Sequence, residues 1–147
     1  MGATLAVLQL DAGQYRVASV GDNPVHLWQH GRLQLIDGGC AGADTDPSGA
    51  NEAHAAPVPP RRKRITQALG ITPSDELYAE PVSGAVERGM QFLLCSDGLS
   101  EAVGETGIGA VLARTELAAQ ECVDHLLLAA LDAGGRDNIT VLLVRIV

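Results

Sequence analysis

The chain ends on a lone strand. After two helical patterns in succession comes "ITVLLVRIV", a β-branched and aliphatic run from Ile139 to Val147 with no helix or turn behind it. A strand that returns after consecutive helices has to find its partners among strands laid down much earlier. That order, strands first, helices later and one strand coming back, belongs to an α+β architecture with antiparallel sheets. The earlier strands are legible. Thr4 to Leu10, Tyr15 to Val20, Val25 to Trp28 and Leu33 to Ile36 read as a β-meander, with "DAGQ" and "QHGR" as turns. Leu77 to Val82 and Met90 to Cys95 read as two more strands, with "SGAVERG" as the turn between them. The helices read as Glu101 to Arg114, interrupted by glycines, and Glu116 to Leu131. In the second, Leu117, Val123, Leu126, Leu127 and Leu131 recur at helical spacing and form the expected core face.

Between Asp37 and Pro60, in "DGGCAGADTDPSGANEAHAAPVPP", all periodicity is lost, and the spacing predicts a long mobile loop. It leads into the basic run Arg61 to Arg64, expected to be solvated, and then into "RITQALGI", a short helical turn or strand remnant ended by Gly70. The 147 residues amount to a single domain. Aromatic residues are only 3% of the chain, so its core must be aliphatic. A net charge of -8 argues against nucleic acid, whose phosphates need a basic face. Cys40, Cys95 and Cys122 show no metal or disulfide spacing and fit reduced thiols, Cys95 as a small core residue. The four histidines (His26, His30, His54, His125) lack paired ligand spacing and read as surface residues. No apolar run is long enough to span a bilayer and no signal core follows Met1. The expectation is a soluble, cytoplasmic protein without membrane partners.

One grammar recurs three times: an apolar strand running into an aspartate beside glycine or asparagine. It appears as "VASVGDNP" at Asp22, "FLLCSDGL" at Asp97 and "GGRDNITV" at Asp137. A single such Asp is most simply a turn residue. Three of them place carboxylates where backbone pairing stops and water begins, which is where oxygen-ligand metal sites are built.

Together with "RITQALG", these motifs stand in the order and at roughly the separations of the metal-dependent PPM family, the type 2C serine/threonine protein phosphatases, and the chain resembles the bacterial branch over its whole length. The resemblance implies an antiparallel β-sandwich with flanking helices, Mn²⁺ or Mg²⁺ as cofactor, and phosphoserine and phosphothreonine proteins as substrates. It also implies site roles. Asp97 and Asp137 match the two carboxylates that hold the second metal ion, and Asp22 matches an aspartate that helps bind a weaker third ion and should lie nearby but farther out. Asn138, with Gly98, would support them from behind.

The sequence also departs from the family pattern. The family's opening strands, its "ED" element and its "DGxGG" segment, whose Asp bridges two ions, have no counterpart here, and Met1 to Leu5 resembles an internal "MGTTL". "GDNPV" stands where "GDSRA" is usual, and the segment 37–60 is short for the family's flap. The expectation is therefore a partial domain over residues 1–147, lacking the N-terminal strands and helices. Alone it should be inactive, and it should self-associate or await a missing N-terminal half. The alternative is a pseudophosphatase fragment acting as a binding module.

Overall fold

The structure, a computed structural model, describes residues 1–36 and 67–147. The segment 37–60, Cys40, His54 and the basic run Arg61 to Arg64 lie outside the described residues.

Among the described residues, seven strands form two antiparallel sheets. β1 (Leu5–Asp11), β2 (Gln14–Val20) and β5 (Val82–Ala85) make one, in the order β1-β2-β5. β3 (Val25–Gln29), β4 (Arg32–Leu35), β6 (Gln91–Cys95) and β7 (Val141–Arg145) make the other, in the order β4-β3-β6-β7. The two sheets enclose an inner core of Tyr15, Val17, Val25, Leu27, Met90, Phe92 and Leu94. A second core, built on Leu93, Cys95, Leu99, Ile108, Leu112, Leu126 and Ala130, lies between the four-stranded sheet and helices α1 (Asp97–Leu112) and α2 (Ala119–Asp132). β6 explains its own composition. Phe92 and Leu94 face the inner core while Leu93 and Cys95 face the helices, so every residue of the strand is buried and none needs to be polar on its outer face. The one polar member, Gln91, is satisfied. Its side chain donates to the Leu112 carbonyl and accepts from the Arg145 guanidinium.

The α+β sandwich expected from the strand order is present, with one refinement: among the described residues both helices cover the four-stranded sheet. Three local expectations need correcting. Residues 77–81 are not a strand; pairing begins at Val82, opposite Val17, directly after Pro81, which has no N–H to give to a ladder, and runs into the expected turn as far as Ala85. α2 buries Cys122, Leu126 and Ala130, whereas Leu127 and Leu131 are 38% and 53% exposed. The buried stripe is narrow and uses small residues, so a pattern weighted to leucine selects the neighbouring face. His26, expected at the surface, is buried in β3 between β4 and β6.

The end of α2 follows the expected glycine stop. Gly134 takes a positive φ of 119°, its N–H donates to the Leu131 carbonyl, and the Gly135 N–H donates to the Ala130 carbonyl. This doubled closure satisfies two carbonyls that the helix leaves open. α1 is interrupted at Gly104, which has φ 72° and ψ 164° inside the helix, as its glycine content led one to expect.

Candidate metal centre

The sheet order brings the three aspartates to one edge. β6 runs antiparallel to both its neighbours, with Val25 opposite Leu94 on one side and Val141 opposite Cys95 on the other. The end of β6 therefore lies beside the beginnings of β3 and β7. Asp97 follows the end of β6, Asp22 precedes β3 and Asp137 precedes β7. Three segments distant in sequence must converge there.

Each segment is pinned by its own contacts. Gly21 has φ 104°, and a Cβ on it would stand 2.2 Å from the Thr4 side chain, so only glycine lets the chain pass there into Asp22. Asn23 then donates from Nδ2 to Thr4 Oγ1 at 2.8 Å, tying the turn to the start of β1. On the other flank Ser96 links two segments. Its Oγ donates to the Asn138 carbonyl at 3.1 Å and accepts from the Thr140 N–H at 3.0 Å, while its own N–H donates to the Thr140 carbonyl. Gly98 packs against the same loop. A Cβ there would lie 2.5 Å from the Asn138 carbonyl oxygen and 3.4 Å from Asp137 Cβ. Asn138 touches Asp137 through its backbone, since its N–H donates to Asp137 Oδ1 at 2.7 Å.

Asp97 opens α1 and carries the electrostatic signature of the site. Its carboxyl is raised above the usual range, chiefly by partial burial and then by the charge of Asp22, with the Gly98 N–H acting in the opposite sense and Asp137 adding further repulsion. Asp22 and Asp137 thus both lie close enough to Asp97 for their charges to act on it. Among the described residues no three His, Cys, Asp or Glu side chains are gathered so as to hold an ion by themselves. The donor set nevertheless suits a hard divalent cation, which accepts one or two carboxylates and keeps several waters. Ser96 and Thr4 were not singled out from sequence. Neither bears a charge, and their partners lie 42 and 19 residues away.

Comparison with known proteins agrees with this fold. The family model for stage II sporulation protein E (SpoIIE) matches residues 1–147. The chain is 32% identical over 145 residues to the serine/threonine phosphatase Stp of Listeria monocytogenes, covering 98% of this chain and 56% of the relative. It is 30% identical over 148 residues to the serine/threonine protein phosphatase PstP of Mycobacterium tuberculosis, covering 100% of this chain and 28% of that protein. The chain thus spans little more than half the length of the curated relatives it matches, or less. Among solved structures it superposes on M. tuberculosis PstP/Ppp with a TM-score of 0.75 at 30% identity, covering 99% of this chain and 60% of that one. A PstP catalytic domain in complex with two manganese ions superposes at 0.72 and 26% identity, over 97% of this chain and 58% of that one. With the sandwich, the order of its motifs and the whole-length match in hand, the chain belongs to the SpoIIE and type 2C branch of the metal-dependent PPM phosphatase family.

Proposed function

We propose that this chain supplies the carboxylate wall of a phosphoserine/phosphothreonine protein phosphatase site, with Asp97, Asp22 and Asp137 as the residues that hold Mn²⁺ or Mg²⁺. One observation carries the reading: three strand-end aspartates from different parts of the chain meet at one sheet edge, where partial burial first, and then the charges of Asp22 and Asp137, raise the carboxyl of Asp97. Carboxylates held together against their own charge are a site made ready for a cation. The PstP relative found with two manganese ions supports the choice of metal. When bound, such an ion lowers the pKa of a coordinated water and neutralises phosphoryl charge. Asp97 would hold the ion together with Asp22 and Asp137. Gly98 and the Ser96 bridge keep the Asp137 loop from drifting away from Asp97. The Asn138 N–H fixes one oxygen of Asp137 and leaves the other to face the ion.

The sequence holds no "DGxGG" segment, and among the described residues no three metal-ligating side chains are gathered so as to hold an ion by themselves. By itself the chain should bind one ion weakly and turn over little substrate. Calorimetry with Mn²⁺ and hydrolysis of a phosphothreonine peptide, run beside Asp97→Asn, test both parts. Weak 1:1 binding that the variant loses, with negligible turnover, is the expected result. Absence of binding would remove the metal reading; robust turnover abolished in the variant would show a complete site.

A further inference from the structure

We propose that Thr4 is the positioning residue for Asp22, a role that rests on the metal reading of Asp22 and names the side chain on which that ligand depends. Asp22 lies on a corner and not on a regular element. β2 ends at Val20 in the three-stranded sheet and β3 begins at Val25 in the four-stranded one, so residues 21–24 carry the chain from one sheet to the other. Asp97 belongs to the edge of the four-stranded sheet, just past β6. Where Asp22 stands relative to Asp97 is therefore set by how this corner is tied to each sheet. Its far end is tied by backbone: the Pro24 carbonyl accepts from the Cys95 N–H at 3.2 Å, one step beyond Val25 opposite Leu94. Toward the first sheet the ladder stops at Val20 opposite Leu5, and a side chain takes over.

Thr4 grips both neighbours of Asp22. Its Oγ1 accepts from Asn23 Nδ2 at 2.8 Å, and its Cγ2 methyl lies over Gly21, 2.2 Å from where a Cβ would stand. The hydroxyl thus holds the residue after the aspartate and the methyl the residue before it. Both holds leave the Asp22 carboxylate directed toward Asp97, close enough for its charge to act there. A β-branched side chain has little χ1 freedom, so the two contacts are kept together. Serine would lose the methyl and valine the acceptor. Thr4 can serve as an anchor because its own backbone is held on either side. Ala3 before it donates to the Leu69 carbonyl at 3.0 Å and accepts from the Leu69 N–H at 2.8 Å, and Leu5 after it enters the ladder opposite Val20. The seven pairs between β1 and β2 hold that hairpin without any help from Asn23. What the bond between Thr4 and Asn23 adds is the placement of the corner.

Calorimetry with Mn²⁺ on the wild-type chain, Thr4→Val, Thr4→Ser, Asp22→Asn and the double variant Thr4→Val/Asp22→Asn tests this. Thr4→Val should weaken binding about 10-fold, the low end of what residues behind metal ligands contribute. Thr4→Ser, which keeps the acceptor, should recover most of that loss. Once Asp22 is Asn, Thr4→Val should add nothing, because a residue that acts through Asp22 then has nothing left to position. A Thr4 that served only stability would weaken binding equally in both backgrounds. Should Thr4→Val fail to fold, Asn23→Ala removes the same bond from its other end and takes its place in the cycle. The tie is also read without metal: the Asn23 side-chain amide protons should exchange slowly in the wild type and fast in Thr4→Val. Binding that Asp22→Asn weakens and Thr4→Val does not, or losses that simply add in the double variant, would leave the metal reading standing and overturn the positioning role. A wild type that binds no Mn²⁺, or binds it regardless of Asp22→Asn, would remove the metal reading of Asp22 and this role with it.

Discussion

Asp97 shows how one side chain can oppose the fold it belongs to. Its carboxyl is raised in the folded state, so its contribution to stability is fully present below the ordinary carboxylate range and is lost as pH rises through the raised value. Without metal, Asp97→Asn should therefore melt at the same temperature as wild type at low pH and at a higher one near neutrality. A thermal melt across pH checks the sign, and an equal or lower melting temperature for the variant at neutral pH would contradict it. Added Mn²⁺ should raise the wild-type melting temperature and leave the variant unmoved, since an ion that binds only the folded state stabilises it by mass action. Gly98 makes a purely steric prediction. An alanine there meets the Asn138 carbonyl at 2.5 Å, a backbone atom that cannot rotate away, and overpacking of this kind costs about 1–3 kcal/mol. Denaturant unfolding of Gly98→Ala measures that loss, and its Mn²⁺ binding should weaken as the Asp137 loop shifts.

At the level of elements, α2 separates apolar composition from burial. Leu126 is fully buried against α1 and the sheet, while Leu127 beside it is 38% exposed. Truncating Leu126 to alanine should cost about 2–5 kcal/mol. Leu127→Asp should cost less than ~1 kcal/mol, as surface substitutions usually do. Urea unfolding of the pair decides which face is core, and similar losses for both would refute the assignment. The reason the leucine pattern misleads is local. Cys122 and Ala130 complete the buried stripe because α2 packs close to α1 and β7, where larger side chains have no room.

For the whole molecule, the second sheet is buried on both faces and the three-stranded sheet on one. β1 and β2 bury Leu8 and Val17 inward, while Leu5 and Val7 face outward with no helix among the described residues over them. The same side that opens toward Leu142 adjoins Ser96 and Thr140, so whatever closes the sandwich also dries the neighbourhood of the carboxylates.

Read alone, the sequence determined the element order, the aliphatic core, the glycine stop after α2 and the three strand-end aspartates, because each of these is written in short-range periodicity or turn chemistry. It also carried the family resemblance, since the motifs are contiguous. It could not determine which strands are neighbours. The convergence of Asp22, Asp97 and Asp137 depends on β6 lying between β3 and β7, a pairing across 69 and 46 residues of chain. Nor could it show that Ser96 ties the Asp137 loop, or that Leu127 faces out while Cys122 faces in. These are long-range facts. Backbone hydrogen bonding and side-chain volume settle them only once the sheets have closed on each other, and no local pattern encodes a distance between residues so far apart.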